Sequence, residues 1–248
     1  MTSGPVDDDG RMLVLAHRGA SAAASENTPD AFALADRMGA DGVELDVRHV
    51  VDGRLLVAHD PLPESLAEID AMELATFDDV LDACGDRMLV NVEIKNWKTD
   101  TGYDPALSMV PPIVDVLRRR GPTARRRWLI SSFSWSTVAA CRELAPDIAT
   151  ACLTSAPVDA ATVEHLAAVG HAALHPQATQ VDEALVTLCH RNGLALNTWT
   201  CNDPERLVEL AELGVDGVCT DVPDVALSAL GRRGAATEPT WPDMSNRS

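Results

Sequence analysis

Aromatic side chains are scarce in this chain, at 4 % of residues. A buried core must therefore be filled mainly by Leu, Val and Ala. Basic residues are also few. Lys and Arg number 20 against 38 Asp and Glu, a formal net charge of -18. Such a field repels nucleic acid and anionic membrane surfaces, so neither is expected as a partner. It does not exclude an anionic small molecule, because a bound cation reverses the local sign. No C-x-x-C pair occurs among Cys84, Cys141, Cys152, Cys189, Cys201 and Cys219. Their irregular spacing reads as reduced, buried thiols and a cytoplasmic location. Residues 1–10 lack a basic and an apolar leader segment, and no apolar run is long enough to anchor the chain in a membrane.

What is present is ordinary globular material. Hydrophobic residues make up 46 % and charged residues 23 % of 248 positions. Short apolar runs alternate with amphipathic patterns. Strands are expected over 12–16, 42–47, 54–58, 88–94, 128–130, 148–153, 172–174, 194–198 and 217–219. Helices are expected over 29–38, 77–84, 105–119, 136–144, 160–168, 183–191, 204–212 and 222–230, with a kink at Pro111-Pro112. Alternating β and α elements imply a parallel sheet covered by helices. The expectation is one α/β domain, a (β/α)8 TIM barrel over 11–231, with loose ends over 1–10 and 232–248. A doubly wound open sheet shares the pattern. The closed barrel is preferred because polar residues gather at strand ends, where barrel active sites lie.

In Gly42-Val43-Glu44-Leu45-Asp46-Val47, Glu44 and Asp46 share one face and the apolar residues the other. An edge strand with its acids in water would alternate in the same way. A second strand changes the balance: in Val90-Asn91-Val92-Glu93-Ile94-Lys95, Asn91, Glu93 and Lys95 share a face. Three carboxylates, Glu44, Asp46 and Glu93, would form a hard oxygen site suited to Mg²⁺ or Ca²⁺. His17 and His59 each stand where a strand meets a loop, and histidine suits proton transfer near neutral pH. Arg118–Arg120 and Arg125–Arg127 are read as a solvated basic surface, His175 as a loop histidine, and Asp221 as a residue that orients a loop.

The ordered series His17-Arg18-Gly19, Glu26-Asn27-Thr28, 39–47, Asp52-Gly53, His59-Asp60, Glu93-Ile94-Lys95, Ser131-Ser132-Phe133, 197–200 and 214–223 resembles the glycerophosphodiester phosphodiesterase family. The resemblance spans about residues 13–230. It implies a general acid–base pair, His17 and His59, and one divalent cation held by Glu44, Asp46 and Glu93. It further implies phosphate contacts from Arg18 and Lys95, and an apolar wall from Trp199. The implied partner is a small-molecule phosphodiester, cleaved by a monomer or homodimer into glycerol 3-phosphate and an alcohol. The family's inserted lobe is expected to be reduced or absent, because 61–92 is short. Two other readings share the fold: a phospholipase D-like lipid phosphodiesterase, and a non-catalytic barrel that binds a phosphorylated ligand. The scarcity of aromatics for an apolar rim weighs against the first. Two histidines beside three acids weigh against the second, because a binder needs no acid–base pair.

Overall fold

The computed structural model describes residues 11–121 and 127–232. The expected loose ends therefore lie almost wholly outside the described residues, as do Arg125 and Arg126. Strands β1 (Leu13–His17), β2 (Gly42–His49), β4 (Leu89–Ile94), β5 (Trp128–Ser132), β6 (Ala149–Thr154), β7 (Ala173–Pro176), β8 (Ala195–Thr198) and β9 (Gly217–Thr220) pair in parallel. The β1–β2 and β1–β9 pairings close them into a barrel. Helices α1 (Pro29–Met38), α3 (Phe77–Ala83), α4 (Val110–Arg119), α5 (Trp135–Leu144), α6 (Ala160–Ala168), α7 (Glu183–Arg191), α8 (Pro204–Glu212) and α9 (Pro223–Ala229) connect them. The (β/α)8 expectation holds. Among the described residues, no helix is long and apolar enough to cross a membrane.

Local chemistry sets the helix ends. Thr28 accepts the Ala31 N–H at 3.3 Å, Pro29 occupies the first turn, and Gly39 closes α1 at φ 88°. Asp159 and Asp182 cap α6 and α7 in the same way as Thr28 caps α1. The expected helix 105–119 is corrected: α4 begins at Val110. Pro111 and Pro112 do not kink it. They lie in its first turn, where a backbone N–H has no intrahelical acceptor to lose.

One device starts strands twice. Gly39-Ala40-Asp41-Gly42-Val43 and Gly214-Val215-Asp216-Gly217-Val218 each place a buried aspartate just before a strand. Asp41 donates its N–H to Val14 O at 3.0 Å and accepts the Val14 N–H on Oδ2 at 2.8 Å. Asp216 does the same to Leu196, at 2.9 and 2.7 Å. Each then needs a glycine. A Cβ on Gly42 would lie 2.6 Å from Leu89 O, and one on Gly217 would lie 2.6 Å from Asn197 Oδ1.

The strands divide the core in two. Val43, Leu45, Val47, Val90, Val92 and Ile94 face outward against the helices. Leu13, Leu15, Leu89, Leu129, Ala151, Ala173, Ala195 and Cys219 fill the barrel interior. The buried acids Glu44, Asp46 and Glu93 lie toward the strand C-termini.

A small lobe lies between β2 and α3. Strand β3 (Leu55–Val57) runs antiparallel to the end of β2. Helix α2 (Leu66–Ala71), which periodicity missed at six residues, follows it. Ile69 packs with Val50, Leu56, Ala58 and Leu62 as a small separate core. The arginines of the basic surface meet acids, Arg118 with Asp147 and Arg120 with Asp78 and Asp82.

Arg232, expected in the loose tail, is instead anchored. Its guanidinium forks onto the buried Asp41 at 2.6 and 2.8 Å. Removing one partner of such a pair strands a buried charge. Arg11, 3.7 Å from Asp41, offsets part of the loss. Arg232→Ala is therefore expected to lower the unfolding free energy by about 2 kcal/mol, read from urea denaturation. An unchanged midpoint would show that the fork contributes nothing.

Candidate active site

Parallel register brings the singled-out residues of β1, β2 and β4 side by side. Glu44 stands opposite His17 and Asn91, and Asp46 opposite Glu93. All three carboxylates are buried, and one oxygen from each lies within 4.8 Å of the others. The half-solvated edge-strand reading is thereby excluded.

Like charges this close must be offset. Lys95 Nζ lies 2.8 Å from Asp46 Oδ1 and 2.6 Å from Glu93 Oε1. Arg18 Nε lies 3.4 Å from Asp46 Oδ2, while its Nη1 reaches Glu26 at 3.0 Å. Asn27 Nδ2 donates to Asp46 Oδ2 at 2.8 Å. Arg18 and Asn27 both adopt left-handed backbone, at φ 58° and 59°. That turn aims the Arg18 N–H at Glu44 Oε2, 3.1 Å away.

The protonation consequences differ by site. Burial pushes the Glu44 carboxyl well above the usual range, and Asp46 and Glu93 push it further. Burial also raises Glu93, which Lys95 only partly offsets. At Asp46 burial acts upward too, but Lys95, Asn27 and Arg18 outweigh it and hold the carboxyl down. Three carboxylates against two cations leave the cluster short of positive charge. Glu44 Oε1 is buried without a hydrogen-bond partner among the described residues. An orphaned oxygen in an all-oxygen donor set fits a hard divalent cation.

His17 closes one side. Its Nε2 is 3.9 Å from Glu44 Oε2, and its Nδ1 is 2.6 Å from Asp221 Oδ1. The His17 hydrogen bond, with help from Asn202 and Ser21, holds Asp221 down at about 2. Asp221 does tie a loop through Asn202, as expected, but it also fixes a candidate catalytic ring. Its position directly after the last strand was the available signal.

His59 is not in this cluster. It lines a neighbouring cavity of about 300 Å³ that shares Glu93 with the well beside His17. Its Nδ1 meets Asp60 at 2.9 Å. The segment is held by Arg48, which shares the inward face of β2 with Glu44 and Asp46 and which sequence reasoning passed over. Arg48 Nε donates to Ala58 O and His59 O, each at 3.2 Å, and Nη1 to Asp100 at 3.0 Å. Trp199 lines the well with His17 and Glu44, its Nε1 donating to His175 O at 2.9 Å. Its ring meets Phe133 edge-on at 5.2 Å.

The chain matches the model of the glycerophosphoryl diester phosphodiesterase family over residues 17–73 and 62–225. The chain belongs to this family. A glycerophosphodiester phosphodiesterase of Caldanaerobacter subterraneus subsp. tengcongensis is 30 % identical over 255 residues, covering 90 % of this chain and 100 % of the relative. Among solved structures, an Oleispira antarctica phosphodiesterase in complex with the product sn-glycerol-3-phosphate superposes with a TM-score of 0.78 at 26 % identity. The alignment covers 90 % of this chain and 98 % of that one. A Thermotoga maritima glycerophosphodiester phosphodiesterase gives a TM-score of 0.71 at 25 % identity, covering 89 % and 98 %. The enzyme class is accordingly phosphoric diester hydrolase.

One residue of this phosphodiesterase barrel departs from its expectation. His175 lies on β7 rather than in a loop. It is buried inside the well, with its Nε2 2.9 Å from Asn197 Nδ2. Burial lowers its pKa from 6.5 to about 3. The unfolded chain thus binds a proton that the folded barrel refuses. His175 should cost stability as pH falls from 6.5 toward about 3. His175→Asn is expected to flatten urea midpoints compared between pH 7 and about pH 4.5. An unchanged slope would place the acid sensitivity elsewhere.

Asp221→Asn, which keeps the shape but removes the charge, is expected to lower kcat for diester hydrolysis by about 10²–10⁴ with little change in KM. A matching rise in KM with kcat intact would assign Asp221 to substrate binding instead.

Proposed function

We propose that the chain hydrolyses glycerophosphodiesters to glycerol 3-phosphate and an alcohol, with one divalent cation and two histidines. The observation that carries this reading is the buried triad Glu44, Asp46 and Glu93 beside His17, with a carboxylate oxygen left unpartnered. The Oleispira antarctica structure holding sn-glycerol-3-phosphate supports the glycerol phosphate product.

Glu44, Asp46 and Glu93 would hold the cation, and their hard oxygens suit Mg²⁺ or Ca²⁺. When bound, the cation polarises a phosphoryl oxygen and offsets charge that grows in the transition state. The side chains supply the rest. Arg18 and Lys95 hold positive charge at the carboxylates and would neutralise the diester's anionic oxygens. Asp221 fixes His17 through Nδ1, so its Nε2 is the atom free to exchange a proton with substrate. His17 and His59 act as the acid–base pair. One accepts a proton from the attacking hydroxyl, of water or of the substrate itself, and the other returns one to the departing alkoxide. Trp199 would form an apolar wall beside the substrate. A reducing, cytoplasmic setting is supported by six cysteines that are all free and buried.

Purified protein should release glycerol 3-phosphate from glycerophosphodiesters with Mg²⁺ or Ca²⁺ and lose that activity with chelator. His17→Ala and His59→Ala should each lower kcat by about 10²–10⁴. Glu44→Gln should raise the metal concentration needed for half-maximal activity. Full activity in chelator would remove the cation from the scheme. Absence of turnover of any diester, in folded metal-supplied protein, would sink the reading.

A further inference from the structure

Three cavities run outward from the carboxylates. The well beside His17 shares Glu93 with the middle cavity. The middle cavity shares Asn96, Trp97, Phe133, Ser134 and Ser155 with an outer one of about 550 Å³. The inner well is small, about 30 Å³, enough for water but not for an alcohol headgroup. A substrate held at the carboxylates can therefore extend only outward. The outer cavity has the size of a small-molecule site.

Its charge sets it apart from the rest of the molecule. The chain carries a net charge of -18, yet no Asp or Glu lines the outer cavity among the described residues, and Lys98 does. The acids just inside it are already paired, Asp100 with Arg48 at 3.0 Å and Glu93 with Lys95 at 2.6 Å. Hydroxyls supply the polarity: Ser134 Oγ and Ser136 Oγ lie 3.1 Å apart, and Ser155 stands on the same rim. Three rings line it, Trp97, Phe133 and Trp135. Trp97 and Phe133 meet edge-on, at 90° and 5.6 Å, and Trp97 is 46 % exposed. A quaternary ammonium is held by ring faces from several sides or by a carboxylate. Here it would find no carboxylate among the described lining residues, and it would meet a like charge at Lys98. A polyol can stack its C–H face on one exposed ring and bond its hydroxyls to serines.

We propose that the outer cavity is the subsite for the leaving alcohol, and that it selects an uncharged, hydroxyl-rich alcohol over a cationic one. The inference rests on the phosphodiesterase reading and adds the class of alcohol to it. The reaction balances as a hydrolysis. The phosphorus–oxygen bond to the polyol breaks, a new one forms to the attacking oxygen, and the polyol leaves with a proton.

The test compares kcat/KM for glycerophosphoglycerol and glycerophosphoinositol with that for glycerophosphocholine, at one metal concentration. The ratio within one preparation does not depend on the fraction of active protein. Wild type should favour both polyol diesters by about tenfold or more. Lys98→Ala should narrow the ratio, and Lys98→Glu should reverse it. Equal or faster cleavage of the choline diester by wild type would overturn the subsite while leaving the phosphodiesterase reading intact. So would a polyol preference that Lys98→Glu leaves unmoved. Failure of folded, metal-supplied protein to cleave any of the three would overturn the phosphodiesterase reading and the subsite together.

Discussion

Three buried carboxylates on two adjacent strands are the charge that the rest of this barrel is arranged to bear. Glu44, Asp46 and Glu93 cannot all ionise in an apolar interior without nearby positive charge. Lys95 supplies it from the end of β4, and Arg18 from a left-handed turn after β1. Asn27 adds a donor from a second left-handed residue. The strain at those two positions is concentrated where backbone and side chain must converge on the acids. Below the cluster, a plug of Leu and Ala side chains fills the barrel, so the polar groups can be reached only from the strand C-termini.

The register that creates the cluster depends on strand starts. Asp41 and Asp216 each clamp the preceding neighbour strand through a paired donor and acceptor. The glycines that follow let the next chain segment approach without a Cβ in the way. A slip of one residue along β2 would send Glu44 and Asp46 into the apolar helix layer and Leu45 into the barrel. The clamps at the closed end thus help fix the chemistry at the open end, with Arg232 completing the one at Asp41.

Loops determine how the open end is walled. The lobe carries its own small core, and a chain of cavities leads out past Trp97. Arg48 ties the lobe side, through the carbonyl of His59, to the β4–α4 loop, through Asp100. The two rims are therefore coupled by one buried guanidinium rather than by an extended lid.

The alternation of short strands and helices, the two strands with acids on one face, and the histidines at strand ends were all readable in the residue order. Periodicity and capping chemistry are local, and they act over a few residues. Most element boundaries followed from them, and so did the inward orientation of Glu44, Asp46 and Glu93. The six-residue helix α2 was too short for periodicity to reveal, and the Pro111-Pro112 pair reads the same as a kink or as a helix start. Asp221 joining His17 and Arg232 reaching Asp41 required the fold, because each partner lies far away in the chain, and Arg48 holding His59 required the turn that brings β3 back beside β2. The sequence by itself determined which side chains face inward and what chemistry they can support. Only barrel closure decided which of them touch, because contacts between strands depend on register and curvature, which residue types alone do not encode.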